Sequence, residues 1–247
     1  MNERTRSADQ GNGTYINPIL FGMYSDPTIL RDGKDYYVMV MGGENLILHS
    51  QDLVNWEPLY SLGTKFHTQG YHPWASDIVK YQDTFFLYTF SKTGGDVLLA
   101  MTTKNIHDGE WSAIVVLGPA GETLEGDELI DPAHIVDADG KRYLFLSKNY
   151  VYPLSDNGLE ITGPAVQVCD DWPIPDEWDI EGVYTEGPKF AVRNGWYYLL
   201  VAEGGTIGPP TSHSAIAYRS KSVKGPWEPS PYNPILHTEN RRETWWS

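Results

Sequence analysis

The chain has 247 residues, which leaves room for one or two domains and a sizeable hydrophobic core. Its 33 Asp+Glu against 18 Lys+Arg give a formal charge of −15, the wrong sign for a phosphate backbone or an anionic membrane surface. No apolar run is long enough for a transmembrane helix, and the single cysteine, Cys169, excludes an internal disulfide and a cysteine-cluster metal site.

Met1 to Thr14 read as a polar, glycine-containing tail without the apolar stretch of a signal peptide, and the compartment stays open. From residue 15 onward one unit recurs. Thr28-Ile29-Leu30 runs through Asp32-Gly33-Lys34-Asp35 into Tyr36-Tyr37-Val38-Met39-Val40. Ile78 to Tyr81 turns at Gln82-Asp83 into Thr84 to Phe90. Ala133 to Val136 turns at Asp139-Gly140-Lys141 into Arg142 to Leu146, and Lys189 to Val192 turns at Arg193-Asn194-Gly195 into Trp196 to Val201. Asp-Gly and Asn-Gly favour hairpin turns, whose central residues take positive φ, and the aromatic and aliphatic runs have strand length. Ser50 to Trp56 and Ser220 to Trp227 add a later signature ending in Trp, with Thr103 to Trp111 a looser copy. Nine Trp, sixteen Tyr and seven Phe, with 24 Gly and 17 Pro, suit short strands joined by turns. Several strands per unit at a period near fifty residues predict an all-β fold, a β-propeller over residues 15–247. A β-sandwich is the alternative, but it gives no reason for a regular unit.

An acid precedes the first strand of every unit. Asp26, Asp77, Asp131 and Glu186 follow one another at separations of 51, 54 and 55 residues. If the units are blades, these acids ring the central axis at one mouth of the channel. Asp-Pro is also an ordinary turn former, so each acid alone has a structural explanation. Several carboxylates around one axis raise one another's pKa, an arrangement that suits proton transfer.

Tyr24-Ser25-Asp26-Pro27, Trp74-Ala75-Ser76-Asp77, Ile130-Asp131-Pro132 and Glu186-Gly187-Pro188, in this order, resemble glycoside hydrolase family 43. Glu203-Gly204-Gly205-Thr206 and Tyr218-Arg219-Ser220, followed by Gly225-Pro226-Trp227, continue the likeness from about Asn17 to the C-terminus. The resemblance implies a five-bladed β-propeller that cleaves xylose- or arabinose-containing glycans with inversion, as a β-xylosidase or an α-L-arabinofuranosidase. An inverting enzyme sets two carboxyls ~6.5–9.5 Å apart, with room for a water. Carried over by motif, Asp26 would be the general base, Glu186 the general acid, and Asp131 the group that tunes and orients the acid. Trp74 is a candidate sugar platform or an inter-blade core residue, and Asp77 reads as structural. Phe90, Glu203, His213 and Arg219 are further candidates for the substrate pocket. No metal ligand set is expected and no cofactor is required; a structural calcium is implied by family analogy alone.

Four units span about Tyr15 to Trp227, and the next acid would fall near residue 241. The fifth blade is therefore expected to be largely missing from this chain, as in a truncated protein or one closed by another chain or by an N-terminal strand. The expected partner is an oligosaccharide or glycoside, without nucleic acid or membrane, and an open propeller edge would allow an oligomer. A non-catalytic carbohydrate-binding propeller and an endo-arabinanase are the competing functions. His-Glu-x-x-His, a P-loop and an EF-hand pattern are all absent.

Overall fold

The turn chemistry that marks each unit closes a real hairpin. Asn194 and Gly195, at φ 52° and 68°, join Arg193 to Trp196, while Gln82 at φ 57° leads the turn between Tyr81 and Thr84. The structure is a computed structural model and describes residues 7–22, 24–41, 44–92, 96–122, 124, 129–205 and 214–237.

Each unit folds into an antiparallel meander. The first blade is β1 (Ser25–Asp32), β2 (Asp35–Met41), β3 (Leu46–Ser50) and β4 (Glu57–Ser61). A short helix, α1 (Gly63–His67), leads to the second: β5 (Pro73–Tyr81), β6 (Thr84–Lys92), β7 (Asp96–Thr103) and β8 (Val115–Val116). The third is β9 (Ala133–Val136), β10 (Arg142–Leu146), β11 (Tyr150–Pro153) and β12 (Val166–Gln167). The fourth is β13 (Glu186–Arg193), β14 (Trp196–Glu203), β15 (Ser214–Ser220) and β16 (Glu228–Pro229), with β17 (Leu236–His237) also pairing to β15. The Trp-ended signatures build the turns after the third strands. Asp52 accepts the N–H groups of Val54 and Asn55, and the indoles of Trp56 and Trp227 donate to the Leu53 and Val223 carbonyls.

The second strand of each blade explains why the sheets stack face to face. Side chains alternate across a strand, so a strand that is apolar at every position feeds two cores. Tyr37 and Met39 meet Phe85 and Leu87 between blades one and two. Phe86 and Tyr88 meet Leu144 and Leu146 between blades two and three, and Tyr143 and Phe145 meet Tyr197 and Leu199 between blades three and four. The first strands β1, β5, β9 and β13 adjoin in sequence about the centre. The chain is thus an all-β propeller with four blades among the described residues. Residues ahead of β1 are attached to blade one: Asn55 Nδ2 donates to Asp9 Oδ2 at 3.1 Å, and Leu20 covers Val38 and Val40.

Asp77 ties the inner strands together. Its Oδ1 accepts from the Thr28 hydroxyl on β1 at 3.0 Å and from Lys189 Nζ on β13 at 3.4 Å. Its Oδ2 accepts the His134 N–H on β9 at 2.8 Å. The structural role read from the sequence holds, but its assigned register does not. Thr28, Asp77 and Lys189 each stand four residues ahead of the closing pair of their hairpin, Asp32–Asp35, Tyr81–Thr84 and Arg193–Trp196. Asp77 therefore lies one pleat deeper than Asp26, at the level of Thr28.

Candidate active site

The acids gather where the inner strands begin, and local backbone geometry puts them there. The register shifts between Ser25 and Thr28 in β1 and between Glu186 and Lys189 in β13. The residue before proline takes a left-handed conformation in three blades: Asp26 at φ 46°, Asp131 at φ 58° and Gly187 at φ 61°. Proline disfavours the right-handed helical region at the preceding residue, and Asp and Gly tolerate the left-handed one better than other residues. Such irregular strand starts re-aim side chains. Glu186 consequently stands one residue ahead of the place held by Asp26 and Asp131. Equal spacing in sequence did not mean equal position, because its blade gives the left-handed place to Gly187.

Asp26, Asp131 and Glu186 nevertheless line one cavity of about 700 Å³, with Trp74, His67 and His72 on its wall. Asp131 Oδ2 accepts the Gly187 N–H at 2.8 Å, which locks blade three to the backbone next to Glu186. Burial, then the charges of Asp131, Glu181 and Asp26, push the Glu186 carboxyl up to about 7 from its ordinary 4.5. Burial also raises Asp131, opposed by the Gly187 N–H. Asp26 is open to solvent at the mouth, yet partial desolvation holds its carboxyl above the ordinary value, against a Ser25 hydrogen bond and the Lys189 charge. The arrangement places a carboxylic acid able to hold its proton near neutrality beside two further carboxyls.

The remaining candidates separate. Trp74 is 45% exposed on the cavity wall, and Phe90, buried behind it, meets its ring edge-to-face at 5.4 Å. Phe90 backs the Trp74 ring and does not line the cavity. Glu203 is buried between blades three and four, where its Oε1 accepts the Trp172 N–H at 3.1 Å, so it too lies off the cavity lining. Arg219 alternates with buried Tyr218 and Ser220, faces outward, bonds Glu228 at 3.0 Å and covers the Trp196 ring. These three do not reach the cavity, because neighbours in a motif point to opposite faces of a strand. His213 lies outside the described residues. Gly205, at φ 108°, has room only for hydrogen: a Cβ there would meet the Glu181 side chain at 2.4 Å.

Sequence reasoning missed His67, His72 and Asn45, all on the cavity wall. Asn45 is 4% exposed, with Nδ2 unpartnered, and the two histidine rings lie 5.3 Å apart. His67 and His72 lie on the segment joining β4 to β5, and Asn45 directly ahead of β3, places that carry no recurring signature in the sequence. Among the described residues no group of three or more His, Cys, Asp or Glu is placed to hold a metal ion, and no helix is long and apolar enough to cross a membrane.

Known proteins share this frame. A xylan 1,3-β-xylosidase of a Vibrio species is 30% identical, matching 90% of this chain and 44% of its own length. A non-reducing-end α-L-arabinofuranosidase of Bacteroides ovatus is 31% identical over 92% of this chain and 42% of its own length. Among solved structures, the GH43 protein BlXynB of Bacillus licheniformis superposes with a TM-score of 0.74 at 31% identity, over 93% of this chain and 45% of that one. The chain thus spans less than half the length of these relatives. The family profile described as glycosyl hydrolases family 43 matches residues 15–247, and the chain belongs to that family.

Proposed function

We propose that this chain is the catalytic propeller of an inverting glycoside hydrolase that removes xylose or arabinose from glycans. The observation that carries the reading is the convergence of Asp26, Asp131 and Glu186, from three blades, on one cavity walled by an exposed tryptophan. Glu186, with its proton held up to about 7, protonates the leaving glycosidic oxygen. Asp26, at the more open edge, accepts a proton from the water that attacks the anomeric carbon from the opposite face. Asp131 keeps Glu186 protonated through its charge and orients it through the Gly187 N–H. Trp74 offers its face to a sugar ring. The names of the Vibrio and Bacteroides relatives support a xylosyl or arabinofuranosyl substrate.

A fifth blade completes the ring in this reading. Tyr198 and Leu200, on the face of β14 turned away from blade three, are 37% and 43% exposed, whereas Tyr197 and Leu199 on the other face are buried. The test is hydrolysis of nitrophenyl β-xyloside and nitrophenyl α-L-arabinofuranoside, with Glu186→Gln as control. Turnover of either that is reduced in the variant is expected, and more steeply on xylobiose, whose leaving oxygen needs the proton. A folded chain that binds xylo-oligosaccharide without turnover would establish the binding-propeller reading instead.

A further inference from the structure

Glu203, the last residue of β14, is 1% exposed and points toward blade three. Its Oε1 accepts the Trp172 N–H at 3.1 Å and lies 3.2 Å from the Thr185 hydroxyl, which also reaches Asp171 Oδ1. A hydroxyl has one proton to give, so it cannot donate to both carboxyls at once. Oε2 of Glu203 has no hydrogen bond of ordinary length, and the Tyr218 hydroxyl, which also faces this carboxyl, donates to the Asp170 carbonyl at 3.3 Å. A bare negative charge on that buried oxygen would cost far more than a proton there. Burial, followed by the Asp171 charge, pushes the Glu203 carboxyl up to about 7. Below about pH 7 the carboxyl keeps its proton, and two carboxylates do not have to share one hydroxyl.

Thr185 is the residue immediately before Glu186 and is 2% exposed. Its carbonyl accepts the Lys148 N–H at 2.7 Å, and its hydroxyl sits in the Asp171–Glu203 pair, so both its ends are held. Glu186 pairs with Ala202, next to Glu203, across the β13–β14 ladder.

We propose that Glu203 is a positioning residue for Glu186: as a neutral acid it keeps the Thr185–Asp171 hydrogen bond in one arrangement and so fixes the direction in which Glu186 enters the cavity. The inference rests on the reading of Glu186 as the proton donor. It assigns Glu203 a task different from substrate contact.

The experiment compares wild type with Glu203→Gln, Glu203→Ala and Thr185→Val. It reads kcat and KM on xylobiose and arabinobiose, whose leaving oxygens need the proton of Glu186. It also reads the titration midpoint of the Glu186 carboxyl by 13C NMR, assigned by the signal that Glu186→Gln removes. Glutamine mimics the neutral acid, so Glu203→Gln is expected within about 3-fold of wild-type kcat with the Glu186 midpoint unmoved. Glu203→Ala and Thr185→Val are expected to lower kcat about 10- to 100-fold with KM within about 2-fold, the scale of a small misplacement of a reacting group. In both, the Glu186 midpoint falls, because a carboxyl released from its place meets water. If Glu203→Ala does not fold, the near-isosteric Thr185→Val carries the comparison. Wild-type kcat and midpoint in Thr185→Val would overturn the proposal, as would a Gln variant as impaired as the Ala variant. Should wild type hydrolyse neither glycoside, the proposed activity fails, while the Glu186 midpoint still decides the positioning.

Discussion

Asp131 Oδ2 accepts the backbone N–H of Gly187 at 2.8 Å, so a carboxyl of blade three is bonded to the residue that follows Glu186 in blade four. One contact lets Asp131 act on Glu186 through geometry and through charge, and Asp131→Asn separates the two. Asparagine can still accept the Gly187 N–H, but it removes a charge that raises Glu186. The alkaline limb of the kcat/KM profile, where Glu186 loses its proton, is expected to move to lower pH. A pH-rate profile of the variant against wild type checks this.

Loss of the proton donor should depend on the leaving group. Glu186→Gln is expected to reduce turnover of xylobiose about 10³-fold and that of nitrophenyl xyloside less, because nitrophenolate departs with little protonation. Asp26→Asn should reduce both alike, since a base acts on the water rather than on the leaving oxygen. Steady-state rates on the two substrates make the comparison.

Trp74→Ala should raise KM about 10-fold and change kcat less, since the ring binds sugar without touching the bond that breaks. The side chain is 45% exposed, so the thermal midpoint should stay close to that of wild type. Kinetics and a melting curve on the same preparation test both halves.

Stability itself should fall across a defined pH range. Glu186 and Glu203 are each raised from 4.5 to about 7 in the folded chain. An acid with a raised folded pKa stabilises fully below its unfolded value, and the contribution is lost as pH rises through the folded value. Wild type is therefore expected to lose thermal stability between about pH 4.5 and 7. Glu186→Gln should melt higher than wild type at pH 8, with the gap closing toward pH 4.5. Calorimetry across that range is the check.

Asp77→Ala should be among the most damaging substitutions. It removes the acceptor of the Thr28 hydroxyl and the His134 N–H, and it leaves Lys189 without this counter-charge. A cost of about 2–4 kcal/mol in urea unfolding is expected for leaving the buried Thr28 and His134 donors without their acceptor.

The blades were legible in the sequence because hairpin chemistry is local. Asn194-Gly195 announces its turn whatever surrounds it, and the all-apolar run from Phe85 to Leu87 announces a strand buried on both faces. Asp26, Asp131 and Glu186 were found as a set because each opens an inner strand. What spacing could not give was depth and facing. Asp77 drops a pleat below the site, and Glu186 stands one residue ahead of its counterparts, because strand starts carry irregularities that counting does not see. Arg219 and Glu203 belong to recognisable motifs, yet β15 turns one outward and β14 turns the other into a core. His67 and His72 come from a connector with no repeat of its own.

The Asp77 carboxylate also sets an order of assembly. Its partners lie 49, 57 and 112 residues away along the chain, on three different blades. Contacts at such separations form late, after the hairpins that need only local closure. As the chain emerges from the ribosome, Asp77 finds Thr28 already made, waits for blade three, and meets Lys189 only after the first strand of blade four is complete. Until then a charge destined for burial has an incomplete set of partners. The full hydrogen-bond set of the axis thus needs blades one, three and four together, and so does the site above it.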